Sequence, residues 1–317
     1  MNDYKKVERK KRILWVSVAF FIVAVFIARQ LLLEQTGNKN RQGKSQSAPE
    51  KRKSAEYKRI AVIGDSFVEI CLSLGLKDKL VAVGYQGADK SELQGIAHLG
   101  GPLDFSEEQL LVAKPDLIIS SDSLAIKKRM PATLANKKIE KLFLKHDTFD
   151  ELLNCIERIG KITSREKRAK EIVAKLVSQI NVKRELPASA PRALLVFFIQ
   201  KDEAGGYKSF SCAGAGTFLD GILRSAGARN ALSSSKIKWP MLSVEDIIRL
   251  NPDIIFDLRP DAKISQKEVF AHWQKTAPLR AVKNKRVFLI TNHYALLPCP
   301  KVLEIHEILK KLIARSD

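Results

Sequence analysis

Beyond residue 57 the hydrophobic pattern alternates between short apolar runs and longer segments whose apolar residues fall at helical spacing. Short runs bounded by glycine, proline or charged residues are typical of buried strands. Strands that alternate with amphipathic helices indicate an α/β fold with a mostly parallel sheet and helices on both faces. The predicted strands cover residues 59–64, 79–84, 116–120, 141–144, 192–199, 253–258 and 286–290.

A helical stretch from residue 148 to about 186 divides this pattern into two halves. Its second part carries apolar residues at 169, 172, 173, 176, 177 and 180, the spacing of one buried helical face. A helix of about 20 residues would span about 30 Å. The pattern predicts one long connecting helix, after which strands and helices resume, with helices expected over 216–226 and 300–314.

Two segments, 105–119 and 242–256, have matching patterns. In each, a serine (Ser106 or Ser243) is placed to cap a helix, a glutamate (Glu108 or Glu245) follows at the second helical position, and Pro-Asp opens a buried strand. The shared spacing predicts two α/β units of similar construction. The alternative explanation is that Pro and Asp commonly mark the boundary between a helix and a strand in unrelated segments.

The N-terminal region has a different pattern. Residues 13–33 form an apolar run interrupted only by Ser17, Arg29 and Gln30, long enough to cross a bilayer as a helix. The basic residues before it predict that residues 1–12 stay in the cytoplasm and that the body lies on the periplasmic or extracytoplasmic side. A cleaved signal peptide is the alternative. Residues 34–57 contain little that can be buried and predict a flexible linker.

The charge distribution argues against a nucleic-acid partner. The net charge is +20, but residues 1–59 supply +10 of it, so the body is only mildly basic. A composition of 45% hydrophobic and 28% charged residues is ordinary for a globular protein. The four cysteines form no C-x-x-C pair, and whether Cys212 and Cys299 meet is left open.

Four stretches carry a resemblance to a known family: RIAVIGDSFVEICLSLGLKDKLVAV, EEQLLVAKPDLIIS, GAGTFLDGILRSAGARNAL and LSVEDIIRLNPDIIF. Together they resemble the helical-backbone solute-binding proteins of ABC transporters for cobalamin, haem and iron-siderophores. The resemblance covers about residues 58–315. It implies two doubly wound α/β lobes joined by one long helix, with ligand held between them. The expected domains are an N-terminal lobe at 58–147, connecting helices at 148–187 and a C-terminal lobe at 188–317.

The resemblance also implies partners. The chain is expected to bind a metal chelate and to deliver it to an ABC permease with a separate ATPase subunit. Glu108 and Glu245 fall at the positions where the family presents a glutamate from each lobe to permease arginines. Neither a catalytic residue, a protein-bound metal nor a cofactor is expected.

Candidate ligand contacts lie at strand ends, where ligands bind in doubly wound sheets. They are Tyr85, Ser121, Phe210, Trp239 and Tyr294. The Trp239-Pro pair resembles a corrin-binding segment of cobalamin-binding members, although Pro102, Ser121 and Leu297 replace other contacts of those members. Tyr85, His293 and Tyr294 are candidate iron ligands for haem, and Lys201 and Lys208 are candidate cations for a siderophore. The three ligand classes therefore stay open.

Two other functions remain possible at this point. The segment 62–67 resembles the nucleophile block of GDSL-type esterases, with Ser66 as nucleophile, but neither His293 nor His306 follows an aspartate at the required spacing. The second is a membrane-anchored sensor or scaffold that keeps the binding fold without transport.

Overall fold

A computed structural model describes residues 57–86, 91–130, 139–201 and 206–315. The predicted cytoplasmic segment, membrane anchor and nearly all of the linker, residues 1–56, lie outside the described residues. Within the described part of the chain, no helix combines the length and apolar character needed to cross a membrane.

The first half forms a five-stranded parallel sheet. Its strands are β1 (Ile60–Ile63), β2 (Leu80–Gly84), β3 (Ala97–His98), β4 (Leu117–Ser121) and β5 (Glu140–Leu144), in the order β3-β2-β1-β4-β5. All pairings are parallel, as the predicted alternation of strands and helices requires. The helices of this half are α1 (Asp65–Ser73), α2 (Glu107–Val112) and α3 (Leu124–Arg129), with short 3-10 turns at Lys77–Lys79 and Ser91–Leu93.

The second half forms a mixed sheet. Its strands are β6 (Arg192–Lys201), β7 (Tyr207–Cys212), β8 (Arg229–Asn230), β9 (Met241–Ser243), β10 (Ile254–Leu258) and β11 (Val287–Ile290). The order is β11-β10-β6-β7-β9, with β8 beside β6, and β7 runs antiparallel to both of its neighbours. The helices are α6 (Phe218–Ala226), α7 (Val244–Leu250), α8 (Gln266–Thr276), α9 (Arg280–Lys283) and α10 (Val302–Ile313).

The prediction of one long connecting helix is wrong. The segment between the sheets consists of two 14-residue helices, α4 (Phe149–Ile162) and α5 (Glu166–Gln179), each about 21 Å long. Ser164 separates them in the left-handed conformation (φ 58°), which no helix can continue through. The close approach of the two helices depends on Gly160, because a Cβ there would lie 2.4 Å from the Cβ of Ala169.

The internal repeat has a structural basis. Ser106 and Ser243 both accept a hydrogen bond from the third residue of their helix, at 3.2 Å. Each Pro-Asp aspartate then binds the backbone at the start of the central strand of its sheet. Asp116 accepts from the amides of Lys58 and Arg59, and Asp253 accepts from the amide of Arg192.

The arginines that begin the central strands extend this repeat. Arg59 donates to the carbonyls of Ala113 and Lys114 at the end of α2. Arg192 donates to the carbonyl of Leu250 at the end of α7. Both guanidinium groups thus satisfy carbonyls that the end of a helix leaves without intrahelical partners. In each half, an arginine and an aspartate therefore connect the start of the central strand to the helix that precedes the aspartate. The matching sequence patterns predicted only part of this arrangement.

One apolar cluster joins elements of both sheets. It includes Val62 of β1, Leu195 of β6, Ile156 of α4 and Leu219 of α6. A second cluster on the opposite face of the second sheet is built around Trp273 and Phe210. Cys212 lies in this second cluster, whereas Cys299 lies in the shared one, and both are free thiols. The open question of a Cys212–Cys299 pair is thereby answered.

A buried histidine between α6 and α10 gives a pH-dependent prediction. His306 Nε2 lies 3.1 Å from Ser225 Oγ, and burial lowers the pKa of His306 despite the nearby carboxylate of Glu307. The folded state favours the neutral form of His306, whereas the unfolded chain binds a proton near pH ~6.5. The contribution of His306 to the free energy of unfolding is therefore complete above about pH 6.5 and is lost as pH falls through the lowered pKa. We expect the free energy of unfolding to fall between pH 7.5 and 5, with this residue contributing at most about 1.4 kcal/mol per pH unit.

Urea unfolding at several pH values measures this effect. A His306→Gln variant keeps a group that can hydrogen-bond to Ser225 but has no proton to gain, so its stability should change less over the same pH range. Equal pH dependence in the two proteins would contradict the assignment to His306.

Candidate functional site

The carboxyl ends of the parallel strands bring the candidate residues toward one edge of each sheet. In the first sheet, Asp65, Tyr85, Asp122 and Lys145 follow or nearly follow the ends of β1, β2, β4 and β5. In the second, Arg259 follows β10, and residues 291–301 follow β11. Ligands of open α/β sheets bind at such edges.

Trp239 lies in the second half of the chain and packs among aromatic residues of that half. Its ring is half-buried and makes an edge contact with Phe197 of β6, at 5.6 Å between ring centroids, and a tilted contact with Phe218 at 6.4 Å. The amide of Phe218, the first residue of α6, donates to the carbonyl of Asp147 just beyond β5. Trp239 is thus connected through one residue to the loop edge of the first sheet.

A close backbone approach holds the Trp239 segment. The amide of Gly214 donates to the carbonyl of Lys238 at 2.7 Å, and a Cβ at Gly214 would lie 2.4 Å from the carbonyl oxygen of Ile237. Only glycine allows this contact. The glycine-rich segment 213–217 therefore fixes the position of the tryptophan and begins α6 with Thr217 as its cap.

Tyr85 and Ser121 are placed at the edge of the first sheet, but their exposure differs. Tyr85 is buried, and its ring packs against His98 with 4.5 Å between centroids. The carboxylate of Asp65 accepts from the amide of Gln86, which joins the loops after β1 and β2. Ser121 ends β4 and is half-buried. The structure brings these residues to one edge and gives Tyr85 a packing role there.

Tyr294 is held by polar contacts. Its hydroxyl donates to the carboxylate of Glu304 and accepts from Asn292 Nδ2 at 3.0 Å. Burial and the hydrogen bond to Glu304 raise the pKa of Tyr294. A tyrosine that ligates iron acts as a phenolate, and a raised pKa opposes that form. The neighbouring His293 points one ring nitrogen toward Glu69, at 3.7 Å.

Phe210 lies on the other face of the second sheet. Its ring has no exposed surface and stacks on Trp273 at 5.0 Å in the second apolar cluster. A ligand could contact it only if that cluster opened. The structure therefore does not bring Phe210 together with Trp239.

Next to Phe210 is a buried ionic network that the sequence analysis did not find. The carboxylate of Asp257 accepts two hydrogen bonds from the guanidinium of Arg259, at 2.7 and 2.8 Å, and one from Trp273 Nε1 at 2.9 Å. Arg259 also donates to the hydroxyl of Tyr207 at 2.5 Å. The Asp-x-Arg spacing at the end of a buried strand was the available signal, because a buried carboxylate needs such a partner.

Ser66 has the surroundings of a structural residue. It is buried in the first turn of α1, whereas His306 contacts a different serine, Ser225. Among residues 57–86, 91–130, 139–201 and 206–315, no group of three potential ligands is arranged to hold a metal ion.

An open cavity of about 540 Å³ lies elsewhere, between α8 and α9. Phe270, Val282, Lys275, Lys283 and Lys285 are among the residues that line it. It includes none of the predicted ligand residues.

Glu108 and Glu245 occupy matching positions on α2 and α7. Both side chains are exposed in the first turn, where the helix dipole favours a carboxylate. Hydrogen bonds from its own backbone amide and from Ser243 hold the pKa of Glu245 below its usual value. Each glutamate has an exposed apolar neighbour at helical spacing: Val112, 71% exposed, and Ile248, 46% exposed.

Comparisons with known proteins agree with this architecture. A family model described as "Periplasmic binding protein" matches residues 60–294. The chain is 26% identical over 257 residues to an uncharacterized ABC transporter substrate-binding lipoprotein, YvrC, of Bacillus subtilis, covering 78% of this chain and 77% of the relative. It is 24% identical over 227 residues to a vitamin B12-binding protein of Pectobacterium atrosepticum, covering 71% and 80%.

Solved structures share the fold. The periplasmic heme binding protein HutB of Vibrio cholerae superposes with a TM-score of 0.66 at 24% identity, covering 81% of this chain and 99% of that one. A possible iron-binding periplasmic solute-binding protein of Staphylococcus epidermidis gives the same TM-score and identity, covering 82% and 100%.

Proposed function

The chain belongs to the periplasmic binding protein family, whose members bind solutes and are not enzymes, and on this premise we propose that it captures a metal chelate for an ABC importer. The proposed ligand site is a cleft between two lobes, one built on each sheet. The observation that carries the proposal is the position of Trp239, half-buried beside Phe197 and Phe218, since the amide of Phe218 in turn donates to the carbonyl of Asp147 beyond β5. A partly exposed group of aromatic rings suits a large, partly apolar ligand.

The proposed ligand is a cobalamin, a haem or a ferric siderophore. The vitamin B12-binding and heme-binding relatives support this range. Trp239 would contact the planar part of the ligand, with Tyr85 and Ser121 at the edge of the first sheet and Tyr294 at the edge of the second. Lys201 and Lys208, both exposed on the β6–β7 hairpin, would pair with ligand carboxylates.

Replacing Trp239 tests the ligand site. We expect Trp239→Ala to weaken binding of the cognate chelate by about tenfold or more, since aromatic stacking and buried area are lost. Cyanocobalamin, haemin and ferric siderophores are titrated while absorbance and tryptophan fluorescence are followed. The matched control Trp239→Phe keeps an aromatic ring and should retain most of the affinity. If Trp239→Ala binds as tightly as the unmodified protein, the ligand does not contact this residue.

The proposal places the body outside the cytoplasmic membrane. The apolar run at 13–33, preceded by basic residues, supports a single-pass anchor that keeps the protein at the membrane near its permease. Glu108 and Glu245 are proposed to contact cationic side chains of that permease. The ATPase would be a separate subunit.

A further inference from the structure

A buried carboxylate connects the two halves of the protein. Glu69 lies on α1 of the first half with its side chain only 3% exposed. Its Oε2 is 2.9 Å from Lys301 Nζ, and its Oε1 is 3.7 Å from His293 Nε2. Both partners belong to the segment that follows β11 of the second sheet. An ion pair therefore crosses from one half to the other.

The residues next to Glu69 in the sequence of α1 are apolar and buried. Phe67, Val68, Ile70 and Cys71 have no exposed surface. Removing a carboxylate from water is unfavourable before its partner compensates, and an apolar residue of similar volume is often at least as stabilising. Overall stability is therefore a weak reason for an ionised group at this position. Geometry is a better one, because an ion pair fixes two atoms at a defined distance and orientation.

The partner side of the ion pair is itself held firmly. Lys301 Nζ lies 5.5 Å from the centre of the Tyr294 ring, and the Tyr294 hydroxyl is fixed between Glu304 and Asn292. Burial alone would lower the pKa of Lys301, but the hydrogen bond and the charge of Glu69 outweigh it and raise the pKa. Lys301 therefore stays charged at neutral pH, and the contacts extend from Glu69 through residues 292–304.

The connection between the halves makes such a contact consequential. Strands β1–β5 belong to the first sheet and β6–β11 to the second, so the chain passes between the sheets once, through α4 and α5. That passage is interrupted at Ser164 and is not a continuous rod. Non-covalent contacts must therefore help to set the relative position of the two sheet edges.

We propose that Glu69 is a positioning residue that fixes residues 291–301 against α1 and so makes one wall of the ligand cleft rigid. That residues 291–301 face the ligand rests on the proposed function, whereas their fixation by Glu69 does not. It also assigns His293 and Tyr294 to the support of the wall, since both take part in the contacts around Lys301.

Amide hydrogen exchange of the full chain tests the proposal without a ligand. In Glu69→Gln we expect amides of residues 291–301 to exchange about tenfold faster or more, because local opening loses the ion pair. Exchange in the core strands β1 and β6 should be unchanged. The matched control is Glu171→Gln, which removes an exposed ion pair with Arg168 and should alter neither region.

Two further variants keep the test decisive. The double change Glu69→Leu with Lys301→Met removes both charges at similar volume, so it should fold even if Glu69→Gln does not, and it should still show fast exchange at 291–301. Charge exchange by Glu69→Lys with Lys301→Glu should restore at least part of the protection. Unchanged exchange at 291–301 would overturn the proposal, as would a uniform increase over both sheets, which indicates loss of global stability only.

Ligand titration separates this inference from the proposed function. If the unmodified protein binds cyanocobalamin or haemin, Glu69→Gln should bind it about tenfold more weakly or worse, and unchanged affinity would contradict a rigid ligand wall. If no chelate binds the unmodified protein, the proposed function fails, while the exchange result still decides the role of Glu69.

Discussion

Reversal of charge at both Glu108 and Glu245 is expected to abolish capture of the ABC permease and to leave ligand binding unchanged. Both carboxylates are exposed and lie in the first turn of equivalent helices, one in each half of the protein. Loss of a carboxylate that pairs with a cation across an interface weakens binding, and a reversed charge adds repulsion. With two sites changed, the affinity should fall by more than about a hundredfold.

The measurement is binding of the purified variants to the permease in lipid nanodiscs, at several salt concentrations. The control is the double reversal Glu166→Lys with Glu171→Lys, which makes the same change in net charge on the exposed face of α5. Binding that survives reversal at Glu108 and Glu245, or that is lost equally in the control, would contradict docking through these two residues.

The same experiment distinguishes transport from sensing. A protein that binds a chelate through Trp239 but captures no permease, in either the unmodified or the control form, would fit an anchored sensor or scaffold.

Removal of the Asp257 carboxylate should cause a large decrease in the free energy of unfolding. Asp257 is fully buried and holds both the guanidinium of Arg259 and the indole of Trp273. In Asp257→Ala the mostly buried cation and the buried N–H lose their partner together. Breaking a buried ion pair from one side costs about 3–5 kcal/mol, which is a large part of the stability of most proteins.

Urea unfolding monitored by tryptophan fluorescence and circular dichroism measures this loss. The control Glu171→Ala breaks the exposed pair with Arg168 and should change stability by no more than about 1 kcal/mol. A loss of less than about 1 kcal/mol for Asp257→Ala would show that Arg259 and Trp273 find other partners. Ligand binding by the folded fraction should persist, because the network lies on the face opposite Trp239.

The sequence alone determined the α/β class, the repeat and the strands other than β3, β7, β8 and β9, which it did not predict. Continuous apolar runs bounded by Gly, Pro and Asp identify buried strands without reference to the rest of the chain, and β1, β4, β6 and β10 lie within about two residues of their predicted limits. The Ser-x-Glu and Pro-Asp spacing could be recognised for the same reason. Both features can be recognised from residues that lie close together in the sequence, although the contacts that complete them, such as those of Asp116 with Lys58 and Arg59, join distant residues.

Only the tertiary structure decided where the long-range polar contacts and the helix break lie. The apolar spacing of α5 is the same whether or not Ser164 interrupts the segment before it. The helical periodicity of the sequence therefore predicted a single long helix. The sequence predicted no strand at β7 and so could not assign Phe210 to a face of the sheet. In the structure Phe210 packs against Trp273 and not against Trp239. Glu69 and Lys301 are 232 positions apart in the chain, and only folding creates their contact. Local patterns encode elements, whereas the pairing of buried charges depends on how distant elements pack.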